Sequence, residues 1–266
     1  MSRPISFLSD FGHGDEFVGV VHGVVRRIGS DIEVIDVTHG VARGNVRAGA
    51  LSLTRAIQYL PNGVVLAVVD PGVGGPRRAI AAETAWGHFV GPDNGLLAPA
   101  VALVGGATRI VSLESEEFRL PSEGSTFDGR DVFAPAAAVL ATGEATLDDL
   151  GPEVAPSSLM PLLLPLVEQS DTSVTGEVWW VDHFGNAQTN VSPEELEMIG
   201  LSRGAAAKLR VGQVEHEVVW ARSYGEGDDP IIHVDSSGLI AIATPGGRAD
   251  EALRIPEGTA VVFTKP

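Results

Sequence analysis

The sequence predicts an α/β protein in two parts, an N-terminal α/β sandwich domain over residues 1–165 and a small β-rich domain over residues 166–266. Three observations support this. Strand-like apolar runs alternate with segments of helical period in the first part, which is typical of a mostly parallel sheet covered by helices. Residues 151–171 are rich in proline and lack a period, as in a domain linker. Short β-like runs then dominate, which indicates a small barrel or sandwich.

The predicted elements of the first part follow from hydrophobic period and turn residues. Residues 17–28 carry apolar side chains at helical spacing, and residues 64–69 form an apolar run typical of a buried strand. The predicted strands are residues 5–8, 32–37, 64–69 and 79–82, and residues 87–95 are predicted to form a short strand and a polar turn. The predicted helices are residues 17–28, 45–60, 96–104 and 132–141.

The second part contains six β-like runs and one helix. The helix start is specified by Ser192, Pro193 and Glu195, because a serine cap, a proline at the first helical position and a glutamate two residues later form a capping box. The β-like runs are residues 175–181, 207–211, 215–219, 231–234, 239–243 and 260–263.

Composition excludes several classes of function. The formal charge is −17, from 35 acidic and 18 basic residues, which disfavours nucleic acids and anionic membranes as partners. The absence of cysteine excludes disulfides, thiolate catalysis and cysteine-ligated metals. No apolar run is long enough to cross a membrane, and the N-terminus lacks a signal-peptide pattern. We therefore expect a cytoplasmic protein.

Carboxylates at strand ends are the strongest candidates for a functional site. Asp70 ends the strand of residues 64–69 and is followed by a turn rich in glycine and proline, then by Arg77 and Arg78. Asp10 ends the first strand in a similar way. Open α/β sheets bind ligands at this edge. The alternative for Asp70 is a tight turn with one solvated ion pair.

Two further acidic positions allow two interpretations each. Asp15 lies in the loop before the helix of residues 17–28, where it is either a ligand or a helix cap. Asp128 lies beside Arg130 and Asp131 in a loop that either binds a ligand or is simply solvated. Asp131 is also predicted to cap the helix of residues 132–141.

Polar turns also end several strands of the second part. They are residues 182–186, 235–238 and 244–247, with short side chains of the kind that hydrogen-bond a ribose or a base edge. Ordinary β-turns have the same composition, so the residues alone favour the interpretation as turns.

Six motifs, taken together in order, resemble one family. They are Ser-Asp-Phe-Gly at 9–12, Val-Asp-Pro-Gly-Val-Gly at 69–74 with Arg77 and Arg78, Val-Gly-Pro-Asp-Asn-Gly at 90–95, Ser-Thr-Phe-x-Gly-Arg-Asp-Val-Phe-Ala-Pro at 125–135, Val-Asp-x-Phe-Gly-Asn at 181–186 and Ser-Ser-Gly at 236–238. The chain resembles the S-adenosyl-L-methionine hydroxide adenosyltransferases, which are relatives of the fluorinase and chlorinase enzymes.

The resemblance implies an N-terminal α/β domain, a C-terminal β-barrel and a homotrimer. It implies that the nucleoside binds between one subunit's N-terminal domain and its neighbour's C-terminal domain. The implied reaction is attack of water or hydroxide on the ribose C5′ of S-adenosyl-L-methionine, giving adenosine and L-methionine. No metal or redox cofactor is implied, and the expected partners are this substrate, its products and further copies of the chain, without nucleic acid or membrane.

The resemblance also assigns residue roles. Asp70 and Arg77 belong to the set that positions water, Asp10 binds the ribose hydroxyls, and Asp15 lies near the methionine amino group. Asp128 stands where hydroxide-using members commonly have histidine, and Gly129 stands where the fluorinase has a serine that helps to bind fluoride. The remaining implied substrate-binding residues are Thr126, Phe127, Gly129, Asp182, Asn186, Ser236, Ser237, Thr244 and Gly246.

Two alternatives to hydrolysis follow from the sequence. One is a halogenase of the same fold, which an ionised Asp128 disfavours because a carboxylate repels a halide. The other is a catalytically weak protein that binds S-adenosyl-L-methionine or adenosine, because Asp128 departs from the family pattern.

Overall fold

The computed structural model of the chain describes residues 2–226 and 230–266. Contacts between residues divide the chain into two compact units, of which the first ends at Leu163 and the second begins at Leu164. Within the described residues, no helix has both the length and the apolar character needed to cross a membrane.

The first unit contains seven strands and five α-helices among its described residues. They are β1 (Ile5–Ser9), α1 (Phe17–Ile28), β2 (Val34–Thr38), α2 (Val46–Ala56), β3 (Val64–Val68), β4 (Ala79–Glu83), β5 (His88–Pro92), α3 (Ala98–Leu103), β6 (Arg109–Ser112), α4 (Ala134–Thr142), α5 (Leu147–Leu150) and β7 (Glu153–Val154). The helix predicted at 17–28 is confirmed, whereas the helix predicted at 45–60 ends at Ala56 and continues as a 3₁₀ turn, Ile57–Tyr59.

These seven strands form one mixed sheet in the order β2-β1-β3-β5-β4-β6-β7. The four strands from β2 to β5 in that order are parallel, and every pairing beyond β5 is antiparallel. The prediction of a mostly parallel sheet therefore describes one side of the sheet. The other side differs because β4 and β5 are joined by a turn at residues 84–87, which is too short for a parallel crossover.

The sheet separates two apolar cores. Helices α1 and α4 cover one face together with Phe7, Leu66 and Val68, and helices α2 and α3 cover the other with Val65 and Ala67. Because successive side chains of β3 point to opposite faces, all five residues of this strand are buried. The carboxyl end of β3 is thus held from both sides, which fixes the position of the residues that follow it.

The second unit is a closed β-barrel, as the resemblance implied, rather than a sandwich. Its elements are β8 (Glu168–Gln169), β9 (Ser173–Val181), β10 (Ala187–Thr189), α6 (Pro193–Met198), β11 (Ala206–Val211), β12 (Val214–Trp220), β13 (Ile231–Val234), β14 (Ile240–Ala243), α7 (Ala249–Ala252) and β15 (Ala260–Thr264). Pairing of β10 with both β14 and β9 closes the barrel, while β8 pairs with β9 alone.

The predicted start of the helix in this unit is confirmed. The Ser192 hydroxyl accepts a hydrogen bond from the Glu195 backbone N–H at 3.3 Å, and the Ser192 backbone N–H donates to the Glu195 carboxylate at 2.7 Å. With Pro193 as its first residue, α6 begins at the position that the capping pattern specifies.

Candidate active site

Asp70 and Arg77 form a buried ion pair at the carboxyl end of β3. The Arg77 Nε lies 3.1 and 2.9 Å from the two Asp70 carboxylate oxygens, and Nη2 lies 2.5 Å from Oδ2. The two side chains are only 5% and 14% exposed, so the alternative of a solvated pair is wrong. Gly74 has a φ of +75°, and a Cβ there would lie 2.8 Å from the Ser125 carbonyl oxygen. The turn between the two charges therefore requires glycine at this position.

The same guanidinium bridges to a second carboxylate. Arg77 Nη2 also donates a hydrogen bond to Asp128, whose side chain is 16% exposed. Arg130 pairs with Asp131 instead, through bonds of 2.6 and 2.9 Å. Asp128 is thus a largely buried partner of Arg77, and its interpretation as a solvated loop residue beside Arg130 is wrong.

The two carboxylates around Arg77 keep its guanidinium positively charged. Burial opposes its charge, but hydrogen bonds and charge attraction from Asp70 and Asp128 outweigh burial and raise the pKa of the guanidinium. The Arg77 guanidinium carbon also lies 5.5 Å from the centre of the Phe133 ring, within the range of a cation–π contact. The cation therefore holds two carboxylates in fixed positions.

The prediction that Asp131 caps a helix is wrong. A π-helical turn, Gly129–Phe133, precedes α4, and Asp131 lies inside this turn with its carboxylate bonded to Arg130. Asp128 occupies the cap position but makes no side-chain capping bond, because its carboxylate binds Arg77. Single π-helical turns are common at functional sites, and this one turns Asp128 towards Arg77.

A small cavity of about 60 Å³ lies against this ion-pair cluster, and we call it the carboxylate cavity. It is lined by Asp10, Phe11, Val68, Asp70, Val73, Thr126, Phe127, Asp128 and Gly129. The structure thus brings together six of the residues implied by the resemblance. The volume is enough for water, and the three carboxylates exceed the single cation beside them, so the cavity favours positive or neutral occupants.

Asp10 and Asp15 differ in their surroundings. Asp10 lines the carboxylate cavity, and its Oδ2 accepts a hydrogen bond of 2.7 Å from the Gly44 backbone N–H. Asp15 is exposed in the loop before α1 and is not among the lining residues. The alternative role of helix cap also receives no support, because Glu16 occupies the cap position of α1 and makes no side-chain capping bond.

Arg78 forms a second ion pair, with the buried carboxylate of Asp93, away from the carboxylate cavity. Its Nε donates to Asp93 at 2.9 Å, and its terminal nitrogens donate to the Ser158 hydroxyl at 3.0 Å and carbonyl at 2.6 Å. Asp93 also accepts a hydrogen bond of 2.8 Å from the Met160 backbone N–H. Arg77 and Arg78 are adjacent in sequence but bind different partners. The pair of Arg78 and Asp93 holds the segment of residues 158–160 in place.

The second unit contains a larger cavity of about 690 Å³, which we call the aromatic cavity. It is lined by Phe184, Asn186, Tyr224, Gly225, Thr244, Pro245, Gly246 and Gly247. A mostly apolar wall with a few polar atoms is typical of small-molecule sites. Thr244 contributes to this wall, and its buried hydroxyl makes no hydrogen bond within the described structure.

Asp182 does not line the aromatic cavity but accepts hydrogen bonds from two residues that do, Phe184 and Asn186. Its Oδ1 accepts bonds of 2.9 Å from the backbone N–H groups of Phe184 and Asn186, and its Oδ2 accepts one of 2.7 Å from Asn186 Nδ2. Asn186 Nδ2 also donates to the Tyr224 hydroxyl at 3.2 Å. Burial, followed by the nearby charges of Asp182 and Asp235, raises the pKa of Tyr224, so its hydroxyl stays protonated at neutral pH.

Ser236 and Ser237 lie outside the aromatic cavity. Both are exposed in a turn in which Asp235 Oδ1 accepts bonds of 2.8 and 3.0 Å from the backbone N–H groups of Ser237 and Leu239. This is the turn geometry that the composition favoured. Within this unit, the structure therefore gathers Asn186, Thr244 and Gly246 but not the two serines.

Tyr224 is the main wall residue that sequence reasoning missed. It follows β12 in a segment without apolar period, and its ring contacts the buried His233 ring at 4.9 Å between centres. The chain has only 2 tyrosines, and a tyrosine beside glycine in a polar turn was the one available signal.

Comparisons with known proteins agree with this arrangement. Residues 5–151 match the SAM hydroxide adenosyltransferase N-terminal domain, and residues 176–262 match the corresponding C-terminal domain. The chain belongs to this family.

Individual relatives match over nearly the whole chain. A protein from Salinispora tropica named (R)-S-adenosyl-L-methionine hydrolase is 46% identical, over 96% of this chain and 95% of its own. The protein of the same name from Thermus thermophilus is 41% identical, over 97% and 98%. The crystal structure of an uncharacterized conserved protein from Thermotoga maritima has a TM-score of 0.90 and 34% identity, over 98% and 100%. A fluorinase from Actinopolyspora mzabensis is more distant, at 27% identity over 99% and 98%.

Proposed function

We propose that the chain hydrolyses S-adenosyl-L-methionine by attack of water at the ribose C5′, releasing adenosine and L-methionine. Two relatives that are 41% and 46% identical over nearly the whole chain carry the name of this hydrolase. The observation in this chain that carries the proposal is the carboxylate cavity, in which Arg77 holds Asp70 and Asp128 beside a space of about 60 Å³.

The substrate is already activated, so the reaction mainly requires that the enzyme position the attacking water. In the substrate, C5′ is bonded to a sulfonium, which leaves as a neutral thioether. A bond forms between the water oxygen and C5′, the C5′–S bond breaks, and its electron pair goes to sulfur. The water proton passes to a neighbouring carboxylate and then to solvent. Fixing water in line with the C5′–S bond and separating it from bulk solvent lowers the barrier.

In this proposal Asp70 and Asp128 accept the hydrogens of water, and Arg77 keeps both carboxylates in place. The bonds from Arg77 hold the Asp70 side chain in its place in the lining of the carboxylate cavity. Asp128 takes the position of the histidine that other hydroxide-using members commonly have. A carboxylate accepts hydrogen bonds as neutral imidazole does, so the substitution preserves the function of orienting water.

The structure disfavours the halogenase alternative on two grounds. Three carboxylates beside one cation repel a halide. In addition, a Cβ on Gly129 would lie 2.8 Å from Phe11 and 3.3 Å from Phe127, and these two rings contact each other edge to face. A serine at Gly129, as in the fluorinase pattern, would need these rings to move.

We further propose that the aromatic cavity binds the nucleoside and that the active assembly is a homotrimer. The family resemblance implies both, with each site formed by the N-terminal domain of one subunit and the C-terminal domain of its neighbour. The division of the site residues between two units is consistent with such an assembly. Light scattering at micromolar concentration tests it, and an active monomer would contradict it. The cytoplasmic location remains a prediction.

The experiment that tests the reaction is chromatography after incubation with S-adenosyl-L-methionine, with and without chloride. Hydrolysis gives adenosine and L-methionine in equal amounts and at the same rate in both buffers. Formation of 5′-chloro-5′-deoxyadenosine would instead indicate a halogenase. Recovery of unconverted ligand bound to the protein would indicate the second alternative, a binding protein.

A further inference from the structure

A second cluster of potential ligand atoms lies in the first unit, outside the lining of the carboxylate cavity. His22 in α1, Asp36 in β2 and His39 after β2 each contribute one ligand atom, and these atoms lie within 4.8 Å of one another. The Nε2 atoms of His22 and His39 approach the same carboxylate oxygen, Asp36 Oδ1, at 2.9 and 3.0 Å. Two imidazoles thus converge on one carboxylate.

His39 is oriented towards this cluster by its surroundings. Its side chain is fully buried, its Nδ1 lies 2.7 Å from the Ser9 hydroxyl, and its ring contacts the Phe7 ring at 4.5 Å between centres. Despite the short distance to Asp36, the buried Nε2 makes no hydrogen bond of acceptable geometry. The buried Nε2 therefore faces the cluster with a poorly aligned contact to Asp36 Oδ1, and a metal ion placed between these groups would bind both.

We propose that His22, Asp36 and His39 form a binding site for a divalent transition-metal ion of the zinc type. Zinc binds imidazole nitrogen and carboxylate oxygen at about 2.0–2.2 Å. The two nitrogen–oxygen separations of 2.9 and 3.0 Å would widen to admit an ion at that distance, and all three ligand atoms already lie within 4.8 Å of one another. Magnesium and calcium prefer oxygen ligands alone, so two imidazoles disfavour them.

The environment suits such an ion. The Ser9 hydroxyl lies within hydrogen-bond distance of Nδ1 of His39, and a hydrogen bond at the second ring nitrogen fixes the orientation of a metal-binding histidine. Asp36 is 43% and His22 33% exposed, so the ion has a path from solvent, and water can complete its coordination. An ion here would connect α1 to the residues at the end of β2. Because His39 lies within hydrogen-bond distance of Ser9, the ion would also be linked to the end of β1, next to Asp10. The proposal does not depend on the proposed reaction.

The test uses the full chain, first treated with chelator. Zinc chloride is titrated by calorimetry, and cobalt(II) chloride is titrated by visible absorption, because the cobalt spectrum reports coordination by protein ligands. We expect one ion per chain for the wild type. His22→Gln removes one ligand from a partly exposed position, and we expect its zinc affinity to fall at least about tenfold. Asp36→Asn keeps the shape of the third ligand, loses its charge, and should show a similar loss.

The matched control is His216→Gln in β12, which removes a half-buried histidine flanked by two exposed glutamates, Glu215 and Glu217. Its zinc affinity should equal that of the wild type. The proposal is overturned if the wild type binds no zinc at millimolar concentration, or if His22→Gln and Asp36→Asn, both shown to be folded by circular dichroism, bind zinc as the wild type does. In that case the cluster is only a hydrogen-bonded His–Asp–His network.

Discussion

The carboxylate cavity and the aromatic cavity differ in size and in charge. The first holds about 60 Å³ and is lined by Asp10, Asp70 and Asp128. The second holds about 690 Å³, and its lining, as far as the chain is described, consists of aromatic, small and neutral polar residues. In the first cavity, charges are fixed by an ion-pair network. In the second, an open surface is shaped by turns that Asp182 and Asn186 brace.

This difference indicates a division of tasks. A small cavity with fixed charges is suited to orienting water, because electrostatic interactions are strong where bulk solvent is excluded. A larger, uncharged cavity with aromatic walls is suited to binding a base and a sugar. If the division is correct, substitutions in the first cavity should change kcat, and substitutions in the second should change affinity.

The largest expected effect is that of Asp70→Asn in the carboxylate cavity. The amide keeps the size of the side chain but cannot hold the charge or take a proton, so turnover should be almost abolished, a loss of about 10⁴-fold. The adenosine affinity should remain close to that of the wild type. Single-turnover kinetics and calorimetry with adenosine measure the two quantities separately.

The second ion pair offers a matched control for this variant. Asp93→Asn also neutralises a carboxylate that is buried and paired with the neighbouring arginine, Arg78, but it lies outside the carboxylate cavity. It should lower the melting temperature and leave kcat near the wild-type value. A loss of adenosine binding by Asp70→Asn in step with its activity would make Asp70 a binding residue and would contradict the proposed division.

The next effect is that of Asp128→Ala, which removes the second carboxylate held by Arg77. If Asp128 positions water in place of histidine, turnover should fall by roughly hundred-fold to ten-thousand-fold. The Michaelis constant should change little, because the residue acts on water rather than on adenosine. Asp128→His restores the family pattern and should keep substantial activity.

A single-turnover assay at saturating S-adenosyl-L-methionine decides the role of Asp128. An unchanged rate for Asp128→Ala would remove this residue from the mechanism and would leave its contact with Arg77 as a purely structural one. A low rate for both the alanine and the histidine variants would show that the carboxylate itself is required.

Much of the first unit could be predicted because its sequence signals are local. The buried run before Asp70 and the helical period of residues 17–28 each specify an element and its boundaries. The antiparallel side of the sheet was missed because β6 is only four residues long, Arg109–Ser112. It pairs with β4 rather than with the preceding strand β5, and with the two-residue strand β7 far along the chain. Such pairing depends on tertiary contacts, which no local period records.

The site shows the same limit. Strand ends and glycine-rich turns pointed to Asp70 and Arg77. Around Asp128 the glycine and the flanking aromatics favoured a binding loop, but a solvated loop also explained the charges adequately. The bond from Arg77 to Asp128 spans 51 positions of sequence, and this long-range contact also explains why Asp128 makes no capping bond at the cap position that it occupies. Tyr224 was missed for a related reason, since only the folded barrel brings it to Asn186.

In the aromatic cavity we expect a moderate effect from Phe184→Ala. Phe184 is 74% exposed although it lines the cavity, so its ring is free to stack on adenine. Stacking of a base on an aromatic ring contributes about 1–3 kcal/mol, and the dissociation constant of adenosine should rise about 5- to 150-fold with little change in kcat. Met198→Ala is the control, since Met198 is 70% exposed on the same unit but is not a lining residue. An equal effect of both substitutions would exclude stacking on Phe184.

The smallest effect, and the sharpest contrast with the carboxylate cavity, is expected for Tyr224→Phe. This change removes only the hydroxyl that accepts a hydrogen bond from Asn186. A neutral hydrogen bond contributes about 0.5–1.5 kcal/mol, so the dissociation constant of adenosine should rise about two- to tenfold. Because burial and the charges of Asp182 and Asp235 raise the pKa of Tyr224, its hydroxyl does not ionise between pH 6 and about 9. Calorimetry across this range should therefore give the same ratio of wild-type to variant affinity at every pH. A ratio that falls towards pH 9 would show that the phenol ionises. In that case the cavity is more polar than its walls indicate.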